Sequence, residues 1–153
     1  EEGKTVSSTA IRQLIQQGQM KEAACLLGRN YTLQGGVVHG FHRGHDILGF
    51  PTANLSFAEN RVLPKDGVYA TFALIDGRRY PSITNIGKNP TFEGKQRTIE
   101  TFIFHFDSNI YEKSFTLEWV ERIRGEIRFP SPEALAAQIQ KDIQRAEKIL
   151  ERR

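Results

Sequence analysis

Apolar and polar positions change rhythm twice along this chain. Near the start, Ile11, Leu14 and Ile15 recur at helical spacing, behind the cap-forming cluster Ser7-Ser8-Thr9 and ahead of Gly18, which can close a helix. A second short helix fits Met20–Leu27, ended by Gly28. Two such helices bury little by themselves, so they need a partner surface, for which a longer parent chain upstream is one source. From Leu33 the period shortens to two. Val37-Val38 is a short apolar run, and Gly67–Ile75 (GVYATFALI) reads as a strand. Asp76-Gly77 is a type I′ hairpin signal, with the partner strand over 80–86. Residues 98–106 alternate strongly, and 115–120 (FTLEWV) make one more strand.

Short strands between Gly- and Pro-containing loops predict an antiparallel barrel or sandwich. The helical period then returns, with Ser131 as N-cap, Pro132 in the first turn, and Leu135, Ile139, Ile143, Ala146 and Leu150 on one stripe. There is no internal repeat. The organisation expected is one domain over 30–153 with a helical preface over 1–29.

Composition narrows this only a little. A chain of 153 residues with 39% apolar content supports one ordinary core. The net charge of +3 suits an enzyme for a polyanionic substrate such as ATP, and suits a weak nucleic-acid binder equally well. No apolar run approaches the roughly 18 residues of a membrane span. The lone Cys25 cannot form an internal disulfide, so a reducing, cytoplasmic setting is the simplest expectation.

The stretch GGVVHGFHRGHDILGFPTAN, over 35–54, holds most of the candidate chemistry. Gly40, Gly44 and Gly49 interrupt a strand-rich region, and glycines at this density let backbone N–H groups approach phosphate oxygens. No Gly-Lys-Ser/Thr follows, so it is not a Walker A loop; a flexible hairpin without a ligand is the plain alternative. Pro51 holds Phe50 out of the helical region, and in an extended segment Thr52 and Asn54 point to the same side. A hydroxyl and an amide carbonyl are hard oxygen donors of the kind Mg2+ accepts beside phosphates. A polar turn that caps a strand would look the same.

Glu100 shares a strand face with Phe102, Phe104 and Phe106 by period two. A carboxylate on an apolar face is costly unless it is paired, hydrogen-bonded or used, and partial burial suits it to accept a hydroxyl proton. A salt bridge to Arg97 or Lys95 is the competing reading. His39, His42 and His45 recur every three residues, but a glycine-broken loop does not present that spacing as one face of a zinc site. His105, beside Ile103, reads as structural, and Trp119 and the phenylalanines read as core. Arg122, Arg124 and Arg128 follow the last strand in a charged turn. They are either solvated or placed to set a guanidinium against phosphate or another polar group.

Together these segments resemble the riboflavin kinase family, and especially the C-terminal kinase module of bacterial bifunctional FAD synthetases. The resemblance rests on VVHGFHRG…LGFPTANL over 37–55, LPKDGVYA over 63–70 and NIGKNPTF over 85–92. It continues through ETFIFHF from Glu100, RGEIRF from Arg124, and the helix SPEALAAQIQKDI. It implies a mainly β fold: a six-stranded antiparallel Greek-key barrel with a C-terminal helix and a short N-terminal helical segment. It also implies transfer of a phosphoryl group from ATP to riboflavin, giving FMN and ADP, with Mg2+ as cofactor.

By the same resemblance Thr52 and Asn54 bind Mg2+ and the nucleotide phosphates. Gly40 and Gly44 belong to a flap over ATP, Asn89 joins the nucleotide contacts, Glu100 is the base, and Arg124 and Phe129 close over the flavin. Residues 1–29 resemble the end of an adenylyltransferase module, so the chain is expected to be the kinase part of a longer protein and not to make FAD alone. Asp46 departs from the basic residue many relatives carry in the flap, and Ile127 stands where some have lysine. The rival class is a flavin- or nucleic-acid-binding barrel without catalysis, in which Thr52 and Asn54 would have no role. A kinase of another small alcohol is the other alternative. No nucleic-acid or membrane partner is expected.

Overall fold

Asp76 and Gly77 both adopt positive φ, 52° and 79°, as a type I′ turn requires. They join β5 (Gly67–Ile75) to β6 (Arg78–Thr91) in an antiparallel register running from Ile75 opposite Arg78 to Gly67 opposite Ile86. The structure is a computed structural model that describes residues 2–37, 46–47, 50–57, 61–91, 94–105 and 114–152. Gly40, Gly44, Gly49, His39, His42, His45, Val38 and Phe106 lie outside them.

The other strands are β1 (Tyr31–Val37), β2 (Asp46–Ile47), β3 (Phe50–Pro51), β4 (Ala53–Phe57), β7 (Gly94–Ile103) and β8 (Ser114–Arg124). Six of them close a barrel in the order β1-β4-β7-β6-β5-β8, every pair antiparallel, while β2 and β3 form a separate ribbon. Strands β5, β6 and β7 form a meander and β8 returns to lie beside β5, which is Greek-key order. The expected barrel is borne out.

Alternation sorts the strand residues into two clusters. Leu33, Leu55, Tyr69, Ile86, Ile99, Phe115, Leu117 and Trp119 fill the interior, where Tyr69 meets Trp119 edge-on at 5.1 Å. Thr71, Ser82, Thr84 and Thr101 lie among them, and their hydroxyls satisfy one another at 2.7 to 2.9 Å. On the outer face Ala70, Phe72, Ile83, Phe104 and Val120 pack against α3 (Pro132–Glu151), through Ala146 and Leu150 and partly through Ile139 and Ile143. Ser131 caps that helix by accepting the Ala134 N–H at 3.1 Å, with Pro132 in its first turn.

The helices α1 (Glu2–Gln16) and α2 (Met20–Leu27) find their partner within this chain, since Ile15, Met20 and Ala23 belong to the inner cluster. Helix α1 starts well before Ser7-Ser8-Thr9, so that cluster lies inside it rather than capping it. The propensity deficit of Ser and Thr, about 0.5 kcal/mol each against alanine, is too small to break a helix. Strand β7 also ends earlier than expected. Its pairing with β6 stops at Ser82 opposite Ile103, because Pro81 has no N–H to continue the ladder. Phe104 donates to the Pro81 carbonyl, and His105 turns outward at φ 53°, exposed rather than packed in a strand.

Strand β8 runs four residues past the expected end and carries two register shifts against β5, around Val120 and Ile123. They set Arg122 opposite Tyr69. Burial outweighs the nearby Arg122 charge and pushes the Tyr69 hydroxyl up to about 12. The folded state therefore keeps a proton that the unfolded chain loses near pH 10. Tyr69 contributes this stability fully below pH ~10 and loses it as pH rises towards ~12. Tyr69→Phe should flatten the fall in urea midpoint between about pH 10 and 12 relative to the parent.

Candidate active site

Strand pairing brings distant residues into one row. Asn54 lies opposite Glu100, Glu100 opposite Asn85, Asn85 opposite Val68, and Val68 opposite Arg124. Directly paired residues share a face, with Cβ atoms about 5 Å apart. Their chain neighbours Leu55, Ile99, Ile86 and Tyr69 point into the barrel, so the row lies on the outer surface.

A cavity of about 270 Å³ opens over this row. Thr52, Val68, Ile83, Asn85, Glu100 and Phe102 line it from the barrel. Leu135, Ile139 and Asp142 of α3 close one side, and Glu126, Ile127 and Phe129, just after β8, close another. A mostly apolar cleft with a few convergent polar groups is what a small aromatic ligand requires.

Three polar features give the cleft its chemistry. The Thr52 Oγ1 is buried without a hydrogen-bond partner among the described residues, at the end of the row where Asn54 stands beside Glu100. Buried hydroxyls are normally paired, so an orphan one in a cavity marks a position where a ligand atom can complete it. A hard hydroxyl oxygen, an amide oxygen and a carboxylate in one neighbourhood fit a divalent cation that also carries phosphate oxygens. Among the described residues no three His, Cys, Asp or Glu side chains gather as a metal cluster, so a cation here would take few protein ligands.

Arg124 is the second feature. Its Nε and Nη2 donate to both oxygens of Asp142 at 2.8 to 3.0 Å, and Nη1 donates to the Gly125 carbonyl at 3.0 Å. The guanidinium carbon lies 5.7 Å from the Phe129 ring centre. The third is Glu126, packed so closely on Gly87 that a Cβ there would come within 2.5 Å of its Oε1. Desolvation raises its carboxyl above the ordinary value, Asp66 adds to this, and Arg124 opposes it.

Of the residues singled out in the sequence, Thr52, Glu100, Arg124 and Phe129 meet at the cavity, and Asn54 adjoins Glu100. Asn89 lies four residues beyond Asn85 along β6, its backbone opposite Gln96, and its side chain is outside the described ones. Arg97, one candidate salt-bridge partner for Glu100, is instead held by Asp66 at 2.9 Å. Three contributors were not anticipated: Asn85, Glu126 and Asp142. Asp142 left a readable signal, a carboxylate next to Ile139 and Ile143 on the apolar stripe of α3. Asn85 left none short of knowing the register.

The riboflavin kinase (flavokinase) family model matches residues 27–150. The chain belongs to the riboflavin kinase family. Among curated relatives, the bifunctional riboflavin kinase/FMN adenylyltransferase of Bacillus subtilis (strain 168) is 41% identical over 149 residues, covering 95% of this chain and 47% of that protein. Its namesake in Haemophilus influenzae is 40% identical over 142 residues, covering 92% of this chain and 46% of the relative. The chain thus spans about half the length of these relatives and corresponds to their kinase half.

Two crystal structures share the fold. That of riboflavin kinase from Trypanosoma brucei aligns with a TM-score of 0.54 at 26% identity, covering 78% of this chain and 79% of that one. That of a protein named macrolide-efflux protein from Streptococcus pneumoniae aligns at 0.84 and 38% identity, covering 92% of this chain and 46% of the other. Among the described residues of this chain no helix is long and apolar enough to cross a membrane.

Proposed function

We propose that this riboflavin kinase domain transfers the γ-phosphoryl group of ATP to the 5′-hydroxyl of riboflavin, giving FMN and ADP. The observation that carries this reading is the Asn54–Glu100–Asn85 row, bordered by a Thr52 hydroxyl without a partner among the described residues and opening onto a largely apolar cleft. Phosphoryl transfer asks a protein mainly to position two substrates and to neutralise charge.

Glu100, partly buried between two amide side chains, takes the proton of the acceptor hydroxyl and orients its oxygen. Thr52 and Asn54 would hold Mg2+, which when bound supplies neutralisation of the polyphosphate. Gly40 and Gly44, outside the described residues, and Asn89 are assigned to the nucleotide, glycine backbone N–H groups being suited to phosphate oxygens. Arg124 and Phe129 border the flavin ring, and the apolar walls Val68, Ile83 and Phe102 exclude water from the reacting oxygen. We assign residues 1–29 to the closing part of an adenylyltransferase module and the whole protein to the cytoplasm.

The direct test is incubation of the chain with riboflavin, ATP and Mg2+, followed by separation of flavins and nucleotides. FMN and ADP in equal amounts support the reading. No FMN from a folded chain overturns it, and riboflavin or FMN binding without turnover favours a flavin-binding module.

A further inference from the structure

The Arg124–Asp142 pair is more than a staple between α3 and the barrel. The Asp142 side chain is only 2% exposed and that of Arg124 16%, and both line the cavity. Asp142 accepts from Arg124 Nε on both oxygens and from Nη2 on one, while Gln138 Nε2, one helical turn earlier, donates to Oδ1 at 3.0 Å. A fork-to-fork pair of this kind fixes the plane of the guanidinium as well as its position. Arginine carries five N–H groups; Nε–H, one Nη2–H and one Nη1–H are used by Asp142 and Gly125, and two lie outside these bonds.

The charge of Arg124 is also matched. The described lining contains one cation, Arg124, against the carboxylates of Glu100, Glu126 and Asp142. This end of the cavity is therefore a poor phosphate clamp and a good site for the polar edge of a neutral ring.

Resting on the riboflavin assignment above, we propose that Asp142 is a positioning residue. It holds the Arg124 guanidinium in one plane, so that Arg124 presents N–H groups to the carbonyl and ring-nitrogen edge of the flavin, and it takes no part in nucleotide binding. Helix α3 thereby sets acceptor recognition, while β4 and β7 carry the phosphoryl side.

The test compares Asp142→Asn, Arg124→Lys and the double variant, measuring riboflavin affinity by quenching of flavin fluorescence, ATP affinity by calorimetry, and unfolding in urea. Asp142→Asn is expected to weaken riboflavin binding about tenfold or more, the range for a charged hydrogen bond thrown out of alignment, with ATP affinity changed less than about twofold. The double variant should bind riboflavin no worse than the weaker single variant, because the two residues act as one unit. Should Asp142→Asn fail to fold, Gln138→Leu leaves the ion pair and removes one support of Oδ1; a riboflavin-selective loss of affinity is expected there too.

A folded Asp142→Asn with unchanged riboflavin affinity overturns the proposal, as does an equal loss for both substrates or an unaffected Gln138→Leu where that variant is the one available. A parent chain that binds no riboflavin overturns the acceptor assignment and this proposal with it. A parent that binds riboflavin beside an unaffected variant overturns this proposal alone.

Discussion

Glu100→Gln is expected to lower kcat by about a hundredfold or more while leaving ATP affinity and the urea midpoint close to those of the parent. A hundredfold is about 2.7 kcal/mol of barrier, within what a positioned general base supplies. Glutamine has the same length and still hydrogen-bonds, but it cannot accept the hydroxyl proton. The local structure gives it little reason to collapse. Asn54 and Asn85 flank position 100 as neutral amides, and Arg97, which could have made Glu100 a structural ion-pair partner, belongs to Asp66. A folded Glu100→Gln with near-full turnover would remove the base assignment. A large loss of stability with kcat preserved would make Glu100 a structural residue.

Thr52→Val should show an effect of opposite sign with and without nucleotide. Valine matches threonine in shape and lacks the hydroxyl that the described structure leaves buried and unpartnered. Leaving such a group unsatisfied costs about 1 to 3 kcal/mol, so the ligand-free variant should be at least as stable as the parent. With ATP and Mg2+ present the order should reverse. A ligand at a hundred times its Kd stabilises a protein by about 2.7 kcal/mol, and the variant should forfeit most of that gain. Thermal unfolding of both proteins, with and without ATP and Mg2+, checks it. Loss of stability without ligand would mean that the hydroxyl has a structural partner, and a full nucleotide-dependent shift in the variant would mean that it touches no ligand.

These two residues also mark how far the sequence could be read. Hydrophobic period and turn chemistry are local, and they were legible: Gly67–Ile75, the Asp76-Gly77 turn and the Ser131 cap appear where the pattern puts them. Glu100 was legible as a carboxylate out of place on an apolar face, and Thr52 and Asn54 as paired donors in an extended segment. What was not legible is register. That Asn85 stands beside Glu100, or that Arg122 turns towards Tyr69, depends on strand pairing and on register shifts in β8, which arise from contacts far apart in the chain. The end of β7 is not legible in its own residues because the proline that stops its ladder lies in a different strand. Asp142 is masked in the sequence by the apolar residues that dominate its stripe of α3.

The attachment of α1 and α2 has a consequence for the unit that unfolds as a whole. The riboflavin kinase family model begins at residue 27, yet the inner cluster reaches back to Ile15, Met20 and Ala23. The start of the kinase family pattern and the boundary of cooperativity therefore fall in different places. Amide protons in α2 should exchange with the global opening of the barrel rather than by independent fraying, and excision before residue 27 would uncover part of the core.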